Sequence, residues 1–509
     1  MMDRKTRRGW LGWCCVAVLA GLACDRGSPP TPAAQLDEFQ PRDCSGSLTF
    51  DTKAVELAVR DAIDKPEGEI RQADVAGLRS LKILGRTKAG EFGGLECVPT
   101  LEKLDLLDTS VRDLRALARL PKLSQLMLDA SSLQDLRSLA ALNQLEALQL
   151  RNVYATDLSP LAALPKLGAL VLFSGRVSDL GPLSRAKGLE ELDVSHTEVT
   201  DLKPLAGLPK LRRLVLWSTK VADLRPLAEV PTLEFLSLDY TEASDLSPLA
   251  RLANLQVLHL PGVPVTDLSP LASLPKLRVL VLRDTPVRDF TLLSQLTTLE
   301  VLDLTTTHLT DLEPLTGLHR LRRLSVWSTC VSQLSPLSGM PRLESLNITE
   351  TAVSDLTVLA GLTHLKELHA SQTQVHDLSP VADLVNLESL HFDDTPVTDL
   401  SPLAGLFELE ALTFSKVAVS DLTELAGLTG LRALHVGYTQ VEDLSPLAGL
   451  SELTWLNLNG TRVTDLSPLL GMTKLRDLHV QSIPIDCAEQ AATIETLESR
   501  GAWIGTTCR

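Results

Sequence analysis

The chain has 509 residues, an apolar fraction of 44%, 4% aromatics and a formal net charge of −16. An acid excess of that size argues against nucleic acid and anionic lipid surfaces as partners. The apolar content excludes disorder over most of the length.

The first 23 residues read as an export signal. Arg4, Lys5, Arg7 and Arg8 form a basic start, and Gly9 to Ala23 is an apolar stretch of fifteen residues. That is too short for a membrane-spanning helix, which needs about 20 residues. Ala20-Gly21-Leu22-Ala23-Cys24 resembles the lipobox of bacterial lipoproteins, with Gly21 where Leu is usual. The resemblance implies that Cys24 is lipidated and begins the mature chain. Loss of four basic residues and Asp3 then takes the net charge from −16 to −19. Residues 24–43 are Pro-rich and polar, a tether that at ~3.1 Å per residue reaches on the order of 50 Å.

Residues 44–91 form an N-terminal cap. Leu48 to Leu81 has apolar residues at helical spacing (Val55, Leu57, Ala58, Ile63), then a turn at Pro66-Glu67-Gly68. From Phe92 to Asp486 one 22-residue pattern, LxxLxxLxLxxTxVxDLSPLAxL, repeats about eighteen times without insertion or deletion. Its acidic marker runs from Asp113 to Asp465 at intervals of 22, with one break at Gln333. Such a period with this leucine spacing is the signature of a leucine-rich-repeat solenoid, one domain whose coils bury their apolar faces against each other. The expected fold is α/β: a curved right-handed array with a parallel β-sheet on the concave face and short 3-10 or α turns on the convex face, capped at both ends.

Within a coil, alternation such as Arg213-Leu214-Val215-Leu216-Trp217 gives a strand with leucines inward and the intervening residues outward. The Thr column, from Thr109 to Thr461, is placed to bond neighbouring backbone as the chain leaves the strand. Ser-Pro, as at Ser159-Pro160 or Ser247-Pro248, then opens the convex turn with Ser expected as N-cap and Pro at the first helical position. The Asp column reads as turn formation, because no second carboxylate at fixed spacing would complete a metal ladder. Residues 487–509 form the closing cap, with a helix carrying Ala491, Ile494 and Leu497, a stop at Gly501, and a strand-like Ala502-Trp503-Ile504.

Cys44 and Cys97 flank one end of the array and Cys487 and Cys508 the other, and in an exported chain they read as two cap disulfides. Bonds between ends roughly 400 residues apart are ruled out in a rigid array. Cys330 is the odd thiol. The cap segment, EIRQADVAGLRSL within it, and the DLSPLAxL repeat are similar to internalin-type bacterial leucine-rich-repeat proteins over nearly all of the mature chain. That likeness implies a scaffold that binds through its concave residues. It names no partner, and here a lipid anchor stands in place of a wall-sorting tail.

The candidate ligand-binding residues lie on the outward strand positions or just beyond. They are Trp217, Trp327, Trp455, Phe173, Phe235, Tyr240 and Tyr438, with His259, His369, His391, His435 and His479 in one column between the strand leucines. Exposed aromatics are interface anchors, although they also pack against flanking strands. A metal site wants three or four converging ligands, and only His369 and His391 are in adjacent coils, ~4.8 Å apart. No metal and no cofactor are expected. Catalytic motifs such as HExxH, GxSxG or a phosphate loop are missing, so no enzyme is expected. RRLVLWST around Trp217 recurs as RRLSVWST around Trp327, and His259 maps to His369 and His479 at the same 110-residue interval. Duplication of a five-coil block therefore competes with selection for binding.

The sequence points to a monomeric, lipid-anchored scaffold of the bacterial cell envelope, with a protein or glycan on its concave sheet. The alternative is a structural envelope component. The outward columns hold five basic and nine acidic residues, a balance of −4. With histidine pKa values near ~6.5, acidification from about pH 7.5 to 5.5 is expected to carry that face to about +1.

Overall fold

The structure, a computed structural model, describes residues 44–85, 92–107, 114–129, 133, 135–506 and 508. The export signal, Cys24, the tether, Thr109 and Asp113 lie outside the described residues.

Helix α1 (Lys53–Ala62) begins at Thr52, whose hydroxyl accepts from the Val55 amide at 3.3 Å. Val55 and Val59, one turn apart, are fully buried, whereas Leu57 is 52% exposed. The expected apolar stripe through Leu57 is thus corrected. The valine pair already covers the first strand, and a residue two positions on from Val55 points away from that face. Helix α2 (Gln72–Val75) follows. Strand β1 (Ser80–Leu84) lies at the end of the segment read as helical; its period-two pattern buries Leu81 and Ile83.

Strand β2 (Lys103–Leu107) pairs in parallel with β1, β3 (Gln125–Asp129) with β2, and the pairing continues through β19 (Asp477–Val480) to β20 (Trp503–Thr506). Among the described residues all twenty strands form one parallel sheet. From β2 to β19 each residue faces the one 22 positions later, as in Leu104↔Leu126 and Leu456↔Leu478. Like therefore stacks on like, and the inward leucines close into one dry core. Phe392 stacks on Phe414 within it, ring centroids 5.4 Å apart.

Among the described residues, from β4 (Ala147–Arg151) onward the coils leave their strands through a left-handed residue. His196, Ser218, Tyr240, Asp284 and their non-glycine counterparts hold φ between 52° and 59°, an uncommon region for side chains other than glycine. The conformation persists because the amide it aims along the sheet extends the ladder: His196 N donates to Trp217 O at 2.8 Å and Tyr240 N to Pro261 O at 2.7 Å. The buried Thr that follows donates its hydroxyl to the carbonyl three residues back, at 2.6–2.8 Å from Thr197 to Thr461.

The convex turns are short 3-10 helices such as Ser247–Arg251 and Ser401–Leu403. Here the expected cap is corrected. Ser is the first helical residue in these turns, Pro the second, and Leu occupies the N-cap without a side-chain bond. At Ser159-Pro160 both residues precede the turn. The capping acceptor is the Asp two residues before Ser. Asp245 Oδ1 accepts from Ser247 N and Asp399 Oδ1 from Ser401 N, both at 2.8 Å, and the Ser401 hydroxyl turns back onto the same carboxylate. These bonds, the Ser hydroxyl first, hold the Asp245 carboxyl below its ordinary pKa.

Disulfides join Cys44 to Cys97 and Cys487 to Cys508. Helix α3 (Ala491–Ser499) buries Leu497, while Ala491 is exposed and Ile494 half-buried. Just before it, Gln490 Oε1 accepts from Leu466 N at 3.0 Å, satisfying a buried amide of the last coil.

The Thr bond is testable at Thr373, which donates to Ala370 O at 2.7 Å. Thr373→Val is expected to lower stability by about 1–2 kcal/mol, because a buried carbonyl loses its partner while volume is kept. The measurement is the urea midpoint of the variant against wild type.

Candidate functional site

The outward side of the sheet presents rings in separate groups. Phe173, His196 and Trp217 cluster on consecutive coils, with centroids 5.1 Å apart for Phe173–His196 and 4.4 Å for His196–Trp217. Phe235 meets His259 at 5.2 Å, and the Arg213 guanidinium lies 3.7 Å over its ring. At the far end His435, Trp455, His479 and Trp503 form a row with steps of 5.6, 5.7 and 5.1 Å. Trp327 stands apart, 37% exposed. Tyr240 and Tyr438 occupy left-handed turn positions beyond the strands.

Sequence reasoning missed two of these rings. His196 lies outside the histidine column, at the left-handed turn. Trp503 joins the face because β20 pairs with β19, setting Trp503 against Asp477. The alternation in Ala502-Trp503-Ile504 was the available signal.

His369 and His391 stack, 4.4 Å apart and 4° from parallel. His391 is also the centre of a directed hydrogen-bond chain. Thr413 donates its hydroxyl proton to Asp393 Oδ2 at 2.6 Å, so the 2.9 Å bond from His391 Nδ1 must be a donation to Thr413. The proton is therefore on Nδ1, and Nε2 accepts from Ser389 Oγ at 2.7 Å. Burial alone would raise the Asp393 pKa, but donations from Thr413, Ser415 and Ser371 outweigh it and hold the carboxyl below its ordinary value.

This environment overturns the expected charge reversal near pH 5.5. Burial pushes the pKa of His259, His369, His391 and His435 below the ordinary value. The effect is largest for His391, lowered to about 4 by burial and by repulsion from His369. Rings that lie between strands and against other rings lose the water that would solvate an imidazolium. Asp193 shifts upward through burial, against the Ser195 bonds that favour its charged form.

Among the described residues no three His, Cys, Asp or Glu side chains converge to hold a metal, and no helix is long and apolar enough to cross a membrane. Cys330 is an exposed free thiol.

A family model described as Leucine Rich repeats (2 copies) matches residues 187–229. With the stacked coils and Leu columns above, that match decides the fold. The chain is a leucine-rich-repeat solenoid. No curated protein matches it at a significant level. Among solved structures, internalin C2 of Listeria monocytogenes is 30% identical, with all of its chain covered by 44% of this one, TM-score 0.40. An internalin (inlF) of the same organism is 22% identical over 84% of this chain and 95% of its own, TM-score 0.35. A TLR13–ssRNA13 complex is 18% identical over 76% and 67%, TM-score 0.53, and shares the fold.

The His391 assignment has a direct check. A folded pKa below the unfolded value of ~6.5 makes protonation favour the unfolded chain, so this group's contribution is complete above pH 6.5 and is lost as pH falls toward 4. Histidine-resolved NMR is expected to show His391 neutral, protonated on Nδ1, at pH 5.5. His391→Gln should remove on the order of 1–2 kcal/mol of the acid-induced loss between pH 6.5 and 4, after allowance for solvent screening. Titration of His391 near 6.5 would refute the hydrogen-bond chain.

Proposed function

We propose that this repeat protein is a non-enzymatic binding scaffold of the bacterial cell envelope, with its protein or glycan partner held on the concave face of the sheet. The supporting observation is the grouping of rings on that face in a chain with 4% aromatics. Phe173, His196 and Trp217 make one patch, and the row ending at Trp503 makes another. Trp and Tyr anchor interfaces because they bury large area at low entropic cost. A structural envelope component would be served by uniform small polar columns, and these are interrupted.

The Ser389–His391 pair raises acyl transfer as a rival reading. An imidazole with a pKa of about 4 is a poor base for a hydroxyl. The amides around it are also committed: Phe392 N donates to Thr413 O and Asp394 N to Ser415 O. Neither amide is free to act as an oxyanion donor.

Two cap disulfides suit an exported chain, and the Cys24 motif supplies a lipid anchor that needs no transmembrane helix. Cys24→Ser is expected to move the protein from the membrane to the soluble fraction on cell fractionation; unchanged membrane partitioning would sink the anchor. For binding, the full chain carrying Trp217→Ala and Trp327→Ala together should lose at least one partner that wild type captures in a pull-down read by mass spectrometry. Identical captured sets would favour the structural alternative.

A further inference from the structure

At the C-terminal end of the sheet two aromatic rings lie flat. The Trp503 indole covers Gly505, where an added Cβ would come within 2.7 Å of Cη2 and 2.9 Å of Cζ3. Tyr438 covers Gly460 on the next coil, whose added Cβ would meet Cδ1 at 2.5 Å. Each ring spends one face on a glycine and turns the other outward, leaving Trp503 52% and Tyr438 60% exposed. Trp455 shares a column with Trp503, with Asp477 between them in the register Trp455↔Asp477↔Trp503. Two strand spacings put the indoles ~9.6 Å apart along the sheet.

The polar groups here are mostly uncharged. Asn457 Oδ1 accepts from Asn459 N at 2.9 Å and Asn459 Oδ1 from Gln481 N at 2.6 Å, which fixes both amides and leaves their NH2 groups to donate. Across β16 (Ala411–Thr413), β17 (Ala433–His435), β18 (Trp455–Asn457), β19 and β20, Asp477 is the one Asp, Glu, Lys or Arg in the outward columns. The other charged residues of those columns lie farther along the sheet, thirteen between β2 and β15 (Ser389–His391) and Lys82 in β1. Along β17 to β19 main-chain recognition is closed to a ligand, since those strands pair on both sides with neighbouring strands.

Flat apolar faces, fixed amide donors, a single carboxylate and little charge complement an uncharged, hydroxyl-rich ring. The C–H face of a sugar stacks on an indole while its equatorial hydroxyls reach the amides and Asp477. We propose that β17–β20 form a carbohydrate platform for a neutral 1,4-linked hexopyranose chain, alternate sugars stacking on Trp455 and Trp503 and the chain running toward Tyr438. Such a chain advances by roughly one strand spacing per sugar, so every second ring meets a Trp. This deepens the binding reading above and rests on it.

The test is calorimetric titration of the full chain with cellohexaose and with chitohexaose, beside a proline-rich decapeptide. One hexasaccharide should bind, at least tenfold more tightly than its disaccharide. Trp455→Ala and Trp503→Ala should each weaken binding by tenfold or more, and Arg251→Ala, at the end of a convex turn, should leave it unchanged. Because Trp503 belongs to the cap, two further variants separate stacking from stability. Trp503→Phe keeps a flat ring and should retain most of the affinity. Gly505→Ala keeps the indole but lifts it, and should weaken binding several-fold with an unchanged thermal midpoint. No hexasaccharide binding at millimolar concentration, or binding indifferent to both tryptophans, overturns the platform. Decapeptide binding lost with the same variants overturns the sugar assignment and leaves the binding face standing, whereas sugar binding that depends on Trp217 moves the site and spares the scaffold reading.

Discussion

Consecutive coils are joined by N–H to C=O bonds that run along each strand and on into the left-handed residue beyond it, so that from β2 to β19 each strand position meets its counterpart 22 residues later. One residue inserted within a strand would turn that coil's following leucine outward, whereas the turns absorb extra residues, as between Leu81↔Leu104 and Leu478↔Ile504. The same ladder explains why so many non-glycine residues tolerate φ near 55°: the backbone bond they complete offsets the local strain. It also orders the side chains into columns, and the Thr hydroxyls, the Asp carboxylates and the outward rings are consequences of that stacking.

The column arrangement changes the chemistry of the histidines. A lone surface imidazole titrates near neutrality, but one flanked at ~4.8 Å on both sides by neighbouring coils is shielded from water. His391 adds a fixed tautomer, since Asp393 takes the Thr413 proton and thereby dictates what the ring must do. Its charge state is set by neighbours one coil away on either side.

The period, the buried Leu and Thr columns and the parallel sheet were legible in the sequence because each depends on spacing alone. What was misread depends on local competition. Ser-Pro commonly opens helices with Ser as the cap, yet the Asp two residues earlier has the reach to accept the Ser amide. Hydrophobicity alone favours Leu57 for the helix core, but the Val55–Val59 pair fills it. Strand β1 was hidden by the helix before it, although Ser-Leu-Lys-Ile-Leu alternates. Of the candidate site, the outward columns were readable, whereas His196 and Trp503 came onto the face only through a turn conformation and a cap pairing that no 22-residue rule describes. The histidine pKa values were out of reach, since desolvation is a property of neighbours in space.

Because every coil begins and ends at the same place in the register, whole coils are interchangeable units. Gain or loss of one leaves both junctions matched, while moving everything downstream along the array by one fixed step. The 110-residue echo between RRLVLWST and RRLSVWST looks like the trace of such an event. Unequal recombination in the gene would then alter the distance between the Phe173–Trp217 patch and the terminal aromatic row in whole-coil increments without disturbing the core. Close relatives are expected to differ in length by multiples of 22, each length holding its two patches at a different separation, so that the array acts as an adjustable ruler between two contact points.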